Sequence, residues 1–272
     1  MPRLKKINIY ILLTIGIYLS SCDGYNKLVK STNYELKLEK ANEYYQKKNY
    51  VKAISLFEEL IPIYKGTEKA EEIYYYYSYC NYYQGDYSLA QYHFKNYHRS
   101  YPAGKHAEEC LFMNAYCYYL NSPAYHLDQT DTKNAMAEMQ NFIDQYPEST
   151  RLDSCNKISD LLRGKLELKD RDILNQYFKI SDYKAAIASS NNFIKDFPES
   201  TYIDEVLFVV VDSYYLLAIN SLESKKLERL NLSIENHLKL LDLYPKSNFL
   251  TKSENIYESC VRLKKDIINN NN

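Results

Sequence analysis

Short segments that end in an aromatic residue and a proline recur along this chain of 272 residues. Four of them end at Pro102, Pro147, Pro198 and Pro245, and Lys65 occupies the equivalent place without a proline. Twelve residues before each of these five positions stands a small residue, and five residues before each stands a large apolar or aromatic residue. The small residues are Ala53, Ala90, Ala135, Ala186 and Ser233. The chain is therefore constrained to fold as an array of similar units.

The spacing within each unit predicts helices. The recurring positions lie three, four and seven residues apart, on one face of an α-helix, and the proline that follows stops the helix because it lacks an N–H. The chain has 6 glycines and 7 prolines, too few for a β fold built on tight turns. The pattern resembles the tetratricopeptide repeat, a pair of antiparallel helices of about 34 residues, in which the small residue lets the helices approach closely. The resemblance implies an all-α superhelix of about five helix pairs with a C-terminal capping helix.

The proline positions divide residues 34–268 into five units and a cap. The units span 34–66, 67–103, 104–148, 149–199 and 200–246, and the capping helix covers 248–268. We expect Asn121–Asp131 to form a loop, Arg151–Ile180 a long or broken helix, and Leu222–Leu227 a charged turn. The residues expected to cap the first helices of the later units are Thr67, Gly104, Ser149, Ser200 and Ser247. Residues 269–272 are expected to be a frayed tail.

The N-terminus has the three parts of a secretory signal peptide. Arg3, Lys5 and Lys6 precede thirteen apolar residues, and small residues follow. The apolar run is too short to span a bilayer, which needs about 20 residues. Leu19-Ser20-Ser21-Cys22 resembles the bacterial lipobox. The resemblance implies that residues 1–21 are cleaved, that Cys22 receives acyl chains as a membrane anchor, and that 22–33 form a lipidated N-terminus and linker. The alternative is an ordinary signal peptide in which Cys22 is incidental.

The charge of the mature chain argues against a nucleic-acid partner. Removing residues 1–21 leaves 31 of the 34 lysines and arginines against 35 acids, a net charge of −4. Nucleic-acid binding requires a basic field, which this composition does not supply.

No residue pattern indicates an enzyme, a cofactor or a metal. Five cysteines remain besides Cys22, an odd number without a CxxC pair, so a disulfide framework is not expected. Cys110 and Cys117 are seven apart and could be read as metal ligands, but we interpret them as small buried residues. The five histidines lack the spacing of a shared metal site. Glu71-Glu72 and Glu108-Glu109 could be imagined as acid pairs. They recur at equivalent repeat positions, which favours solvated faces or contacts between repeats.

Tyrosine is the one residue type that suggests a binding surface. The chain has 31 tyrosines and no tryptophan. Tyrosine supplies rigid contact area with a polar tip, which suits peptide recognition. We expect Tyr74, Tyr77, Tyr82 and Tyr118 to be groove contacts, with core packing and surface phenols as the alternative for any one of them.

Several segments together resemble the BamD family, the lipoproteins of the outer-membrane β-barrel assembly machine. These segments are Cys22–Lys27, Tyr34–Lys37, Glu68–Glu72 and Leu127–Thr130. The resemblance covers nearly the whole mature chain and implies a non-catalytic scaffold, anchored in the outer membrane and facing the periplasm. It also implies that C-terminal units dock on the periplasmic domains of the central barrel component and that N-terminal units receive client barrel segments.

Two other functions remain open from the sequence. One is a generic tetratricopeptide-repeat lipoprotein that scaffolds another envelope complex, for polysaccharide export or cell-wall synthesis. The other is a glycan-binding lipoprotein of the nutrient-uptake type, whose members are much longer and rich in tryptophan.

Overall fold

A computed structural model describes residues 24–270, and every structural statement below refers to these residues. They contain no strand. A short helical segment at 24–29 is followed by eleven longer α-helices. These are α1 (Tyr34–Gln46), α2 (Tyr50–Tyr64), α3 (Glu68–Tyr83), α4 (Tyr87–Ser100), α5 (Ala107–Asn121), α6 (Thr130–Gln145), α7 (Leu152–Lys179), α8 (Tyr183–Asp196), α9 (Ile203–Ile219), α10 (Glu223–Leu243) and α11 (Leu250–Asn270). The all-α fold of tetratricopeptide helix pairs is confirmed.

The helices form two compact units. Residues 24–122 and 130–159 form the N-terminal unit, and residues 123–129 and 160–270 form the C-terminal unit. In the N-terminal unit a core that includes Leu56, Phe57 and Ile73 lies among α1, α2 and α3. In the C-terminal unit Leu174 of α7 and Phe193 of α8 share a core with α9, and Leu230 of α10 packs with Cys260 of α11.

Every second helix of a pair carries its small residue at a buried position. Ala53, Ala90, Ala135 and Ala186 have no exposed surface, and Ser233 is 1% exposed. The Ser233 hydroxyl donates to the Val211 carbonyl at 2.8 Å, so its one polar group is satisfied. Larger side chains near these positions, such as Phe57, Phe94 and Met139, are also fully buried. In each pair the small residue is thus enclosed by other side chains at the helix crossing.

The turns inside the pairs repeat the same backbone geometry. Lys48, Gly85 and Ser181 each have a positive φ, of 58°, 80° and 65°. The next residue in each turn is a helix N-cap whose side chain accepts the N–H three residues on: Asn49 from Lys52, Asp86 from Leu89 and Asp182 from Ala185. A left-handed residue followed by an Asx N-cap reverses the chain between two helices in few residues.

An acidic residue in the first turn of a first helix accepts a hydrogen bond either from the last turn of the paired second helix or from the turn that follows that helix. Ser149 Oγ donates to Glu108 at 2.5 Å, and Ser247 Oγ donates to Asp204 at 2.7 Å. In the two earlier units a tyrosine is the donor instead, Tyr64 to Glu35 at 3.0 Å and Tyr97 to Glu71. We call these four contacts the acid locks. Each one closes a helix pair through a charge-assisted hydrogen bond.

Gly104 stands where later units have serine. A Cβ added at Gly104 would lie 2.6 Å from Glu71 Oε1. The carboxylate therefore occupies the space that a side chain would need, because Tyr97 already holds it there.

The predicted serine caps are wrong in one respect. Ser149, Ser200 and Ser247 accept the N–H two residues on, at 3.0–3.1 Å, and the helices begin later, at Leu152, Ile203 and Leu250. They close turns ahead of the helices and are not the N-caps. α5 likewise begins after Gly104, at Ala107. Thr67 does precede α3 directly, but its hydroxyl donates backward to the Tyr64 carbonyl and makes no cap bond.

Other expectations need smaller changes. The Arg151–Ile180 region is one unbroken helix, α7, because no proline interrupts it. Leu222–Leu227 is not a turn, since α10 begins at Glu223 and the charged residues lengthen it. The capping helix α11 runs to Asn270, beyond the expected end at 268. The expected signal peptide, Cys22 and the last two residues lie outside the described residues.

The expected linker is partly helical and packs on the first helix pair. Tyr25 Oη donates to the Lys52 carbonyl at 3.2 Å, and its ring meets Tyr44 edge-on at 5.7 Å. Lys37 of α1 is fully buried, and its ammonium donates to the Val29 carbonyl at 2.8 Å and to Glu59 at 2.5 Å. A buried charge needs such partners because isolated burial is costly.

The small-residue positions should not accept bulk. Ala186→Leu places three extra carbons at a filled helix crossing, so we expect the free energy of unfolding to fall by about 1–3 kcal/mol. Chemical denaturation measures the loss. Ala188→Leu is the matched control, because Ala188 lies on the same helix and is exposed. Equal denaturation midpoints for the two variants would contradict the packing argument.

Candidate peptide-binding surface

The structure does not bring the four predicted groove tyrosines together. Tyr74 and Tyr77 pack against His93 of α4: Tyr74 Oη lies 3.1 Å from His93 Nδ1, and the Tyr77 ring meets His93 edge-on at 4.6 Å. Tyr77 is 6% exposed, so its ring serves the core. Tyr118 is half-buried on α5 and makes no ring contact with the other three. Tyr82 alone of the four belongs to an extended aromatic surface.

That surface joins five tyrosines from three helices, and we call it the tyrosine band. Its members are Tyr45 of α1, Tyr50 of α2, and Tyr76, Tyr82 and Tyr83 of α3. Ring centroids are 4.7 Å apart for Tyr45 and Tyr76, 4.9 Å for Tyr50 and Tyr83, and 5.3 Å for Tyr82 and Tyr83. Tyr83 is 48% exposed, while the others are half-buried. The contacts fix each ring, so little side-chain entropy remains to be lost on binding.

The phenols of the band are hydrogen-bond donors at neutral pH. Burial raises the pKa of Tyr45, Tyr50 and Tyr82 above the ordinary value, so all three stay protonated. Rigid rings with polar tips can contact apolar side chains and donate to the carbonyl groups of an extended peptide. The band therefore has the chemistry expected of a candidate peptide-binding surface.

Tyrosines beside the band join neighbouring first helices through an acid. Glu109 of α5 accepts from Tyr79 at 2.5 Å and from Tyr75 at 3.1 Å, both on α3. His106 stacks on the Tyr75 ring with centroids 3.9 Å apart. The carboxylate is thus a link between helices, and Glu109 is not half of an acid pair.

The C-terminal unit repeats this arrangement with different side chains. Glu205 of α9 accepts from Arg171 Nη2 at 2.6 Å and from Asn175 at 3.2 Å, both on α7. The Arg171 guanidinium lies over the Tyr202 ring, 4.2 Å from its centroid. Arg171, Asn175, Tyr202 and Glu205 each lie 96 residues after Tyr75, Tyr79, His106 and Glu109. This correspondence was not predicted from the sequence.

The cysteines are separate and buried. Cys80, Cys110, Cys117, Cys155 and Cys260 are free thiols. Burial raises the pKa of Cys80 and of Cys117 to about 12, which makes both poor nucleophiles. Within residues 24–270, no three side chains of the metal-ligating types stand close enough to hold an ion.

These features define a class of protein. The helix pairs and their buried small residues are those of a tetratricopeptide-repeat protein. None of the helices in the described part of the chain combines the length and apolar character needed to cross a bilayer.

A known protein family matches most of this chain. The family described as outer membrane lipoprotein, YfiO, matches residues 32–230 and 172–260, and the chain belongs to this family.

Similar proteins carry the name outer membrane protein assembly factor BamD. The one from Caulobacter vibrioides is 25% identical over 126 residues, which are 46% of this chain and 41% of that protein. The one from Buchnera aphidicola subsp. Acyrthosiphon pisum is 25% identical over 232 residues, which are 79% of this chain and 93% of that protein. The chain thus spans less than half of the first relative and nearly all of the second.

A solved structure with a similar course is the TPR2AB-domain:pHSP90-complex of yeast Sti1. It is 13% identical, covers 84% of this chain and 98% of its own, and superposes with a TM-score of 0.38. The fold assignment rests on the helix pairs described above.

Burial of His93 should make stability depend on pH. Desolvation lowers the pKa of His93 to about 4 from 6.5, so between these values the unfolded chain binds a proton that the folded chain does not. The free energy of unfolding should therefore fall as pH decreases from about 6.5 to 4. His93→Gln should flatten this part of the profile, measured by urea denaturation at each pH.

The control for this prediction is an exposed histidine. His126→Gln replaces an exposed imidazole, so the slope that burial of His93 causes should remain. A His93→Gln protein with the original slope would contradict the assignment to His93.

Proposed function

We propose that this chain is a non-catalytic, lipid-anchored scaffold of the machine that assembles β-barrel proteins into the outer membrane. The observation that carries the proposal is the match of the outer membrane lipoprotein family to residues 32–260, taken over both matched segments. The assembly-factor names of the relatives support it, especially the one aligned over 93% of its length. In this proposal the protein faces the periplasm.

The two compact units would have different partners. The N-terminal unit carries the tyrosine band, which suits an extended client segment with an aromatic end. The C-terminal unit would dock on the periplasmic domains of the central barrel component. Because tetratricopeptide units contact mainly their neighbours, one array can present two such surfaces independently.

Co-purification tests the proposal directly. The full lipoprotein, extracted from envelopes with mild detergent, should retain the central assembly barrel. Recovery with a polysaccharide-export or cell-wall synthesis complex instead would favour the alternative scaffold function, and the assembly proposal would fail.

Cys22 should carry the membrane anchor. Growth with a labelled fatty acid should mark the native protein, and Cys22→Ser should be unmarked and recovered in the soluble periplasmic fraction. The soluble variant should keep its helical circular dichroism, because the described repeats bury their own cores. Label on Cys22→Ser would contradict lipidation at this residue.

The tyrosine band should contribute to client binding. Tyr83→Ser removes the most exposed ring of the band, and we expect a labelled terminal-strand peptide of a barrel client to bind about tenfold more weakly. Fluorescence anisotropy with the full chain measures the dissociation constant. Tyr92→Ser is the control, since Tyr92 is 58% exposed on α4 and lies outside the band. Equal affinities of the two variants would remove the band from the proposal.

A further inference from the structure

The N-terminal segment is a fixed part of the first helix pair. Its carbonyl at Val29 is held by the buried Lys37 ammonium, and Tyr25 is bound to the Lys52 carbonyl. Leu28 packs against the core of the N-terminal unit. These contacts fix residues 25–29 relative to α1 and α2.

The expected anchor therefore has a short tether. Cys22 precedes Gly24 by two residues, and two residues reach at most about 7 Å. Acyl chains on Cys22 would hold this end of the repeat domain at the membrane, because only Asp23 separates Cys22 from the first described residue. This step rests on the lipid anchor of the proposed function.

The surface at this end has the chemistry of a lipid contact. Lys27, Leu28, Ser31, Leu36 and Lys40 line a cleft of about 470 Å³. Val29 and Leu36 are each 38% exposed beside it. Exposed lysines next to apolar side chains suit the boundary between headgroups and acyl chains.

The local charge also favours contact with lipid headgroups. Residues 24–48 contain six lysines and three glutamates. Lys37 is buried and paired with Glu59, so five lysines, the exposed Lys27 and Lys30 among them, outnumber the three glutamates, although the mature chain as a whole is acidic. Glu43 at the cleft accepts from Lys40 at 2.6 Å and from Lys47 at 2.5 Å, which offsets its charge. An anionic leaflet attracts such a surface.

We propose that Lys27, Leu28, Val29, Lys30, Leu36 and Lys40 form a membrane-contact surface on the leaflet that holds the anchor. Phosphate groups of the lipid headgroups lie in the cleft beside Lys27, and Leu36 reaches the acyl boundary. The repeat domain is thus held against the bilayer by its N-terminal end through protein contacts as well as through the lipid.

Tryptophan fluorescence tests the contact. The chain has no tryptophan, so Leu36→Trp introduces a unique probe. In the lipidated full chain, reconstituted into vesicles of phosphatidylcholine and phosphatidylglycerol, brominated acyl chains should quench this probe. Leu89→Trp is the matched control, because Leu89 is 39% exposed on α4. If brominated lipids quench the Leu36→Trp variant no more than the Leu89→Trp variant, the proposal is overturned.

The charge contribution has its own measurement. Lys27→Gln with Lys30→Gln should weaken the contact by about fivefold per lysine, seen as reduced quenching at position 36. Vesicles of phosphatidylcholine alone should give the same low quenching with or without the two lysines. If anionic and zwitterionic vesicles quench equally, headgroup charge plays no part and that half of the proposal is wrong.

A longer tether distinguishes the contribution of the lipid anchor to membrane contact from the contribution of the surface residues. Ten glycine and serine residues inserted between Cys22 and Gly24 leave the fold untouched. The position-36 probe should stay quenched on anionic vesicles and lose quenching at high salt. Loss of quenching at low salt as well would show that the short tether alone imposes the contact, which overturns the surface.

The result is distinguishable from failure of the proposed function. Fatty-acid labelling is done first on every variant. An unlabelled native chain contradicts both the anchor and this inference, whereas a labelled chain with an unquenched probe contradicts the inference alone.

Discussion

Close approach of two helices at one buried small residue is the constraint on which each pair depends. At Ala53, Ala90, Ala135 and Ala186 no surface remains for solvent, so the facing helix fixes both the depth and the angle of packing. Large side chains then fill the volume on either side. The crossing of α3 and α4 at Ala90 fixes the rotation of α3 about its own axis. That rotation determines which way the tyrosines of α3 face. The arrangement of the candidate tyrosine surface in the N-terminal unit therefore depends on alanine packing.

Much of the fold is predictable because its signals are periodic. The proline column gives the ends of α4, α6, α8 and α10, since a proline at that place removes a helical hydrogen bond and clashes with the preceding turn. Helix starts are less predictable. Ser149, Ser200 and Ser247 stand where helix N-caps are expected from the sequence, but their hydroxyls accept N–H groups within the turn that precedes each helix. The same residue type satisfies either geometry, so only tertiary context decides between them.

The candidate surface is less predictable than the fold. A count of tyrosines indicates recognition, yet it does not say which rings share a face. Tyr76 and Tyr83 lie seven apart and do share one, whereas Tyr74 and Tyr77 point to His93. The link at Glu109 and its counterpart at Glu205 are hidden for another reason. Tyr75 and Arg171 are chemically unlike. Their equivalence becomes visible only in the structure, where each donates to a glutamate at the same repeat position, Glu109 for Tyr75 and Glu205 for Arg171.

The acid locks have a consequence for how the array folds. Units of similar sequence can pair out of order, which is a known hazard of repeat proteins. Here the donors differ in reach: a phenol from Tyr64 or Tyr97 spans a distance that the hydroxyl of Ser149 or Ser247 cannot. A first helix paired with a second helix of the other donor type would leave its carboxylate without a donor at the right distance. The four contacts therefore disfavour exchange of helices between the two tyrosine-closed units and the two serine-closed units.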